Sequence, residues 1–539
     1  MRPSYLLFRN PVHELGQELA GFLHAPEGRG GFVNVVDLCG ESGPIVVLGL
    51  PDLADGLSGK TLSITTTFVD LCLAKRLVVG QKHQARAGAE PWSQGKLLAQ
   101  AGISESYIEQ YLCWTTGACT EEVDAALLQT VLQSIATSLQ KLLRELDDEL
   151  RTKGERERFF DIEVPVSNAM LRQQVRGLSI DHVRLEGVLE HTSSSLARVR
   201  RQLRMRFNLT NPSDRSMVRA RLAEAGFDKA TNRALREGDK GWLELSGLRH
   251  DLPRLLHEHQ TFTRDKSTLL KLGAFGSTEV FPRYNTQGTI TGRIVITEPS
   301  LQNLRRESRE VISPRPGRVL LYPDFSQYEP GILADESGDE QLISDYNRGD
   351  LYEPLSIALF GDRAHRKHAK TIFIAFCNGM TEEGLVEIAS RASGRPNEEC
   401  RDIVAQFFGK YMRLRDWTED LFGELENQGR VGSRLGNYRY LGAGAAPGSR
   451  ARNRWAISQR IQGTASLILK RVIIRLDKEA PDCWPVLPMH DALLCEVPKS
   501  SASEIRSLLG ELFISCFREE CPSVDPRVHF EGSGFVVDG

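Results

Sequence analysis

The stretch Val319-Leu320-Leu321-Tyr322-Pro323-Asp324-Phe325-Ser326-Gln327-Tyr328-Glu329 places a carboxylate directly after a short apolar run. The run has the composition of a strand, so the sequence predicts that Asp324 lies at a strand end. Far downstream, residues 486–489 and 493–497 predict a hairpin with Asp491 at its tip. Two strand-end carboxylates would therefore meet on one sheet.

A pair of carboxylates is the typical protein contribution to a magnesium site that handles phosphate. Mg²⁺ prefers a few carboxylates together with water and substrate phosphate over a cage built only from protein. Taken singly, Asp324 or Asp491 is better explained as a turn or capping residue than as a metal ligand.

The segment from Arg366 to Gly379 lies between the two aspartates and predicts a helix. Four of its residues, spaced four apart, share one face: Arg366, Lys370, Ile374 and Asn378. That face is cationic at one end and uncharged at the other, which suits a nucleoside triphosphate whose charge must be balanced during phosphoryl transfer. A surface helix with a buried stripe is the alternative.

Together, and in this order, these segments resemble DNA polymerase family A, the group of bacterial DNA polymerase I. Residues 324–329 resemble its motif A, residues 366–379 its motif B, and His490-Asp491 its motif C. The resemblance extends from about Phe159 to Gly534. Further matching segments are Phe160–Pro165, Phe207–Pro212, Thr291–Arg293, Pro299–Asn303 and Ile461–Ala465.

The resemblance implies a role for each matching residue of the nucleotide site. Asp324 and Asp491 would hold two Mg²⁺ ions, with Mn²⁺ as an alternative. Arg366 and Lys370 would bind the triphosphate, and Lys370 would also donate a proton to pyrophosphate. Glu329 would crowd the sugar 2′ position and exclude ribonucleotides. The other residues expected in the nucleotide pocket are Gln327, Ile374 and Asn378.

The resemblance also implies contacts with primer-template DNA. The residues expected to touch the minor groove or the primer end are Arg293, Asn303, Gln462 and His490. Arg201 and Arg204, from an arginine-rich helical stretch, would contact backbone phosphates, which give affinity without sequence choice. A solvated helix face is the alternative for this stretch.

The expected fold is an α/β multidomain right-hand polymerase with a palm built on an antiparallel sheet, helical fingers and a helical thumb, plus a small N-terminal α/β domain. The predicted limits are residues 1–158 for the N-terminal domain and 159–539 for the polymerase domain. Within the latter, the thumb would span about 180–256, the palm about 257–334 and 430–539, and the fingers about 335–429.

Several positions depart from the family pattern. Ile374 stands where the family usually has an aromatic residue, and Asn378 where it has Tyr. Gly331 replaces an Arg, Ala492 a Glu, and Ser458 an Asn. These changes predict that the residues lining the nucleotide pocket differ from the family pattern, while the residues expected to carry the reaction are kept.

The N-terminal region resembles the family's proofreading exonuclease faintly, and an unrelated small domain is the alternative. Residues 36–39 stand where that domain has Asp-x-Glu, Arg86 where it has a metal-binding Asp, and residues 117–121 where it has Tyr-x-x-x-Asp. An eroded carboxylate cluster cannot bind two metals, so we expect a vestigial RNase H-like exonuclease without proofreading activity. Glu121 is the acid retained there.

Composition excludes several other classes of protein. A chain of 539 residues is longer than a single hydrophobic core usually supports, so two or more domains are expected. The net charge of -3 does not show the overall basic character typical of nucleic-acid-binding proteins. Ten cysteines without ligand spacing argue against zinc and disulfides, and we expect a cytoplasmic monomer with no membrane segment. The segment from Ala54 to Thr61 fits a phosphate-loop pattern, but a plain turn is favoured because no strand leads straight into it.

The predicted function is template-directed addition of deoxynucleotides to a primer 3′ end, without proofreading and with low fidelity or lesion tolerance. The alternatives are a catalytically weak, nucleic-acid-binding paralogue, a phage-type RNA polymerase and, more remotely, a phosphate-loop ATPase. Three biological roles fit the sequence: repair, mobile-element replication and lesion bypass.

Overall fold

The computed structural model describes residues 4–9, 19–25, 30–40, 43–60, 64–80, 90–116, 118, 123–227, 250–441, 450–532 and 534–536. Its N-terminal strands are β1 (Ser4–Arg9), β2 (Leu19–His24), β3 (Gly30–Val33), β4 (Pro44–Val47) and β5 (Thr67–Asp70). The helices beside them are α1 (Leu50–Leu57), α2 (Leu71–Val79), α3 (Gln94–Gln100), α4 (Glu105–Thr116) and α5 (Ala125–Lys153).

These five strands form one mixed sheet in the order β3-β2-β1-β4-β5. The first three pair antiparallel, and β4 runs parallel to both β1 and β5. Helix α5 covers the sheet because its apolar residues recur at helical spacing and are buried, among them Leu128, Val131, Ile135 and Leu139. The predicted small N-terminal α/β domain is confirmed.

Two motif-like segments of this domain have ordinary structural roles. Ala54 lies inside α1, so the chain does not pass from a strand into a phosphate-binding loop there, and Thr61 lies outside the described residues. Asp37 begins a short 3-10 helix, Asp37–Gly40, rather than occupying a strand. The positions compared with the other exonuclease motifs, Arg86 and Glu121, also lie outside the described residues.

The second part of the chain is richer in helices. Its helices are α6 (Arg156–Arg158), α7 (Val164–Arg176), α8 (His182–Phe207), α9 (Arg215–Glu224), α10 (Asp251–Ala274), α11 (Tyr328–Ser337), α12 (Glu340–Arg348), α13 (Tyr352–Phe360), α14 (Arg366–Cys377), α15 (Glu382–Ser393), α16 (Asn397–Phe408), α17 (Met412–Gln428), α18 (Arg450–Glu479) and α19 (Ala502–Glu520). A π-helix, Phe159–Glu163, joins α6 to α7, and 3-10 helices span Leu301–Asn303, Arg306–Val311 and Lys499–Ser501.

The strands of this part are short and antiparallel. They are β6 (Leu178–Ile180), β7 (Glu279–Val280), β8 (Arg283–Asn285), β9 (Val295–Thr297), β10 (Ile312–Ser313), β11 (Arg318–Leu321), β12 (Asp324–Ser326), β13 (Arg430–Val431), β14 (Arg439–Tyr440), β15 (Trp484–Pro488), β16 (Leu493–Pro498) and β17 (Arg527–His529). Asp491 lies in the turn between β15 and β16 of the sheet β11-β16-β15, whereas Asp324 begins β12 in the ribbon β12-β17. A bridge between Asp324 and Ala492 connects the ribbon to this turn. The predicted hairpin around Asp491 is confirmed.

Helices α8 and α10 pack against each other around a small separate core of leucines and valines, including Leu203, Leu252 and Leu256. The predicted thumb limit at residue 256 falls inside α10. Among the described residues, no helix is long and apolar enough to cross a membrane.

Buried polar contacts connect the start of the second part of the chain to α18 and to the N-terminal sheet. Lys470 of α18 donates to both Glu163 oxygens, at 2.9 and 2.7 Å, and the Arg158 guanidinium donates to the same carboxylate at 2.9 Å. All three side chains are buried, and burial lowers the pKa of Lys470 to about 8. Asn168 bonds the main-chain N–H and carbonyl of Phe68, so α7 closes the edge of β5.

Candidate active site

The strand ends bring the two predicted catalytic carboxylates side by side. The Phe325 N–H donates to the Asp491 carbonyl at 2.9 Å, and the Leu493 N–H donates to the Pro323 carbonyl at 3.1 Å. These two bonds tie the start of β12 to the hairpin tip. The segments around Asp324 and Asp491 are therefore held together by main-chain bonds, not by the flexible ends of side chains.

The carboxylate of Asp324 is electrostatically unsatisfied. Burial, followed by the charge of Asp491, raises the pKa of Asp324 to about 7, whereas Lys370 and Arg309 act in the opposite direction. Its Oδ1 atom is buried and has no hydrogen-bond partner within the described part of the chain. A buried oxygen of this kind is costly unless a cation or a donor completes it.

These residues fit a hard divalent cation, because both side chains offer carboxylate oxygen and one oxygen is unpaired. Across the described residues, no three His, Cys, Asp or Glu side chains come together as one ligand set. Any ion held by Asp324 and Asp491 would therefore complete its coordination with water and phosphate oxygen, as Mg²⁺ does at phosphoryl-transfer sites.

Helix α14 carries the two cationic side chains predicted to bind the triphosphate, Arg366 and Lys370, and only the first is paired with a carboxylate among the described residues. The Arg366 guanidinium pairs with Asp350, with Nε at 2.6 Å from Oδ2, and lies over the Tyr352 ring at 5.1 Å. Lys370 is exposed and forms no ion pair with any described residue. It contributes to the field at Asp324, so it is the cation left free for a ligand there.

The predicted pocket residues Ile374 and Asn378 are both half-buried. Helix α14 ends at Cys377, and Asn378 caps it, with its N–H and its side-chain amide both donating to the Ile374 carbonyl. Phe373 and Phe376 pack into an aromatic cluster instead, with the Phe376 ring stacked 4.2 Å from that of Phe408. Both phenylalanines are thus engaged with other rings of this cluster.

Glu329 and Arg293 are bonded to each other. Arg293 Nη2 donates to Glu329 Oε1 at 2.7 Å, and both side chains are less than one-fifth exposed. Gln327 is also engaged: its amide donates to the Gly349 carbonyl at 3.0 Å and accepts the Leu351 N–H at 2.7 Å. Its side chain therefore holds the loop before α13.

The other residues predicted to touch DNA are spread around this centre. Gln462 lies on α18 and donates to Asn378 Oδ1 at 3.4 Å. His490 and Asn303 are exposed, His490 at the hairpin tip beside Asp491 and Asn303 at the end of its 3-10 helix. The neighbouring Gln302 is structural, because it donates to the Pro488 carbonyl at 2.7 Å and so fastens this helix to the hairpin.

Arg201 and Arg204 are exposed on α8, and neither forms an ion pair with a described residue. Other arginines of the same helix have partners, such as Arg206 with Asp251 and Arg200 with His259. Both arginines, which were predicted to contact backbone phosphates, are therefore available to a ligand. They lie more than one hundred residues before Asp324 in the sequence.

Two charged residues near Asp324 were not predicted as site residues. Arg309 acts on the carboxyl of Asp324 and hydrogen-bonds Tyr322. The only sign of Arg309 in the sequence was its place among the arginines of residues 305–318. Glu531 acts on the same carboxyl from the C-terminal segment, and no local pattern indicated that this segment returns to the aspartates.

The unusual Gly331 has a steric cause. A Cβ at this position would lie 2.7 Å from Cζ of Tyr346, whose ring is fully buried. The larger side chain of the family pattern has no room, because Tyr346 occupies the space beside α11.

A cavity of about 490 Å³ lies away from this centre, between α1, α2 and the β8–β9 hairpin. None of the predicted site residues lines it. Its charged groups are paired with neighbours, for example Arg283 with Asp52 and Arg76 with Asn285.

Comparison with known proteins supports the family suggested by the motifs. The family model described as DNA polymerase family A matches residues 184–523, more than half of the chain. Among solved structures, the chain is similar to the POL domain of Pol1 from M. smegmatis in complex with DNA primer-template and dNTP. The TM-score is 0.73 with 20% identity, covering 98% of this chain and 95% of that one, so the predicted fold is confirmed.

Sequence relatives agree. DNA polymerase I, thermostable, of Thermus caldophilus is 26% identical over 383 residues, which cover 66% of this chain and 45% of that protein. DNA polymerase I of Lactococcus lactis subsp. lactis is 25% identical over 427 residues, covering 72% and 47% respectively. The chain thus spans about half the length of these relatives. With a family model matched over most of its second part and the motif aspartates adjacent, the chain belongs to DNA polymerase family A.

Proposed function

We propose that this chain is a DNA-directed DNA polymerase that adds deoxynucleotides to a primer 3′ end on a template. The observation that carries the proposal is the adjacency of Asp324 and Asp491, with one buried oxygen unpaired and Lys370 free beside them. Relatives named DNA polymerase I support the reaction, and a fold neighbour bound to primer-template and dNTP supports the partners.

The reaction follows from these groups. The primer 3′ oxygen attacks the α-phosphorus, the bond from that phosphorus to the bridging oxygen breaks, and pyrophosphate leaves. Lys370 balances the charge on the departing phosphates and gives them a proton, while the 3′ hydroxyl proton passes to solvent. Two Mg²⁺ ions held by Asp324 and Asp491 would supply positive charge for the 3′ oxygen and the phosphate oxygens.

Primer extension in Mg²⁺ tests this assignment. Asp324→Ala and Asp491→Ala should each reduce extension by at least about a thousandfold, because transition-state stabilisation is lost. Primer-template affinity should change little, since it rests on many phosphate contacts. Asp416→Ala, an exposed site on α17, is the matched control and should extend normally. Full extension by either active-site variant would refute the assignment.

Sugar selection is assigned to Glu329, held by Arg293 at 2.7 Å. Because the ion pair with Arg293 restricts the rotamers of Glu329, its carboxylate keeps a fixed position against the sugar better than a freely rotating side chain would. Glu329→Ala should therefore increase ribonucleotide incorporation relative to deoxynucleotide incorporation. A wild type that already prefers ribonucleotides would favour the RNA polymerase alternative.

Low fidelity is the second part of the proposal. Ile374 and Asn378 offer no ring to the nucleotide pocket, and Phe373 and Phe376 are committed to the aromatic cluster. Aromatic contacts contribute about 0.5–1.5 kcal/mol beyond area burial, so two missing rings would loosen discrimination by about one to two orders of magnitude. Single-nucleotide incorporation, right against wrong, should become more selective in Asn378→Tyr. Equal selectivity in both proteins would refute the open-pocket idea.

We also propose that the chain lacks proofreading. Asp37 lies in a 3-10 helix whose neighbours Leu38 and Cys39 are buried, which is not an arrangement of strand-borne metal ligands. A 3′-labelled primer incubated with Mg²⁺ and no nucleotides should remain intact. Metal-dependent trimming that persists in Asp491→Ala would contradict this part of the proposal.

A further inference from the structure

The chain flanks Asp324 on two sides. On one side Asp324 bridges to Ala492 at the hairpin tip, and on the other it pairs with His529 in the register of β12 and β17. Ala492 is fully buried and brings no charge. Among the two strand neighbours of Asp324, only the β17 side therefore offers a polar group.

Side-chain alternation shows what β17 places there. Phe325 faces the core, where its ring lies 4.7 Å from that of Phe513, so Asp324 faces the opposite side, and its cross-strand neighbour His529 shares that side. The next residue, Phe530, packs toward α19, where Arg506 lies over its ring at 4.8 Å. Alternation continued two residues beyond the end of β17 would place Glu531 on the side of Asp324.

Two further observations support this placement. The charge of Glu531 is among the influences that raise the pKa of Asp324, so the two carboxylates are within electrostatic reach. The segment is also anchored on both sides of Glu531. Arg527 donates to the Gly349 carbonyl at 2.9 Å, and the Phe535 ring packs 5.1 Å from that of Tyr322. Little ordering entropy would be lost in presenting Glu531 to a ligand.

We propose that Glu531 is a positioning residue for the metal site: its carboxylate accepts hydrogen bonds from water on the ion held by Asp324 and Asp491. The inference rests on the proposed metal-dependent function. Direct ligation is not invoked, because the described residues contain no three ligating side chains in one place. Mg²⁺ keeps several waters in such sites, and an outer carboxylate that orients them strengthens binding.

Binding of Mn²⁺ to the full chain, without DNA or nucleotide, tests the inference independently of activity. Electron paramagnetic resonance of free Mn²⁺ gives the Kd for wild type, Glu531→Gln and Asp324→Ala. Glu531 is exposed, so the isosteric change should not disturb folding. We expect the Kd to rise about tenfold in Glu531→Gln. Glu419→Gln, an equally exposed change on α17, is the control and should leave it unaltered.

The dependence of extension on Mg²⁺ supplies a second readout. In Glu531→Gln the half-saturating Mg²⁺ concentration should rise by the same factor, while the rate at saturating Mg²⁺ stays within about twofold of wild type. An unchanged Mn²⁺ Kd in Glu531→Gln, in a wild type that extends primers, would overturn this inference alone. If the wild type binds Mn²⁺ no more tightly than Asp324→Ala, the proposed metal site is refuted, and the proposed metal-dependent mechanism is refuted with it.

Discussion

Glu155, at the junction of the two parts of the chain, should make the stability of the fold depend on pH. Its side chain is fully buried, and its two oxygens accept the N–H groups of Asn437 at 2.9 Å and Tyr438 at 2.8 Å. Burial is the largest influence and raises the pKa of Glu155 from 4.5 to about 7, opposed by Arg158 and by the two N–H groups.

The sign follows from which state holds the proton. Between pH 4.5 and 7 the folded protein keeps a proton on Glu155 that the unfolded chain has released. The resulting stabilisation is fully present below pH 4.5 and is lost as pH rises through 7. A displacement from 4.5 to about 7, at about 1.4 kcal/mol per pH unit, corresponds to about 3 kcal/mol.

Urea unfolding of wild type and Glu155→Gln between pH 4.5 and 8 measures this contribution. The Gln side chain resembles the protonated acid and cannot titrate, although it loses one acceptor at every pH. We therefore expect the free energy of unfolding of wild type, relative to the variant, to fall by about 3 kcal/mol across this range. Glu419→Gln is the exposed control. A difference that stays constant with pH would refute the reasoning, since it would mean that the pKa of Glu155 is the same in both states.

Two further predictions concern packing. Lys470→Met should lower the free energy of unfolding by about 3–5 kcal/mol in urea at pH 7, because it leaves the buried Glu163 short of a partner; a loss below 1 kcal/mol would contradict this. Gly331→Ala should destabilise by about 1–2 kcal/mol despite the better helix propensity of alanine, because its Cβ would meet the Tyr346 ring. Gly423→Ala, in a helix with open space around it, is the control and should be neutral or stabilising; similar effects of the two substitutions would refute the steric argument.

The elements that the sequence predicted well are those governed by local pattern. The strand before Asp324, the hairpin around Asp491 and the helix from Arg366 each depend on composition within about ten residues, and all three form. Their joint order was specific enough to indicate the family. The long helix α5 is of the same kind, because its apolar residues recur at helical spacing in the sequence.

Features that depend on distant pairings could not be predicted. No pattern near Gln327 indicates that its amide is used by the loop at residues 349–351, and none near Glu531 indicates that it returns to Asp324. Asp37 occupies the sequence position of the exonuclease Asp-x-Glu motif. Its location in a 3-10 helix after β3, and not in a strand, depends on the strand order of the sheet.

Two hydrogen bonds connect residues predicted to touch DNA with residues predicted to line the nucleotide pocket. Arg293 holds Glu329 at 2.7 Å, and Gln462 reaches Asn378 at 3.4 Å. A guanidinium has five donors and an amide nitrogen two, so each group can contact a primer-template base pair and its partner at once. We therefore expect a mispair that displaces Arg293 or Gln462 to move Glu329 or Asn378 as well, the side chains predicted to line the nucleotide pocket. The Gln462 bond, at 3.4 Å against 2.7 Å, is the longer and weaker of the two, so we expect the connection through Asn378 to be the more easily disturbed.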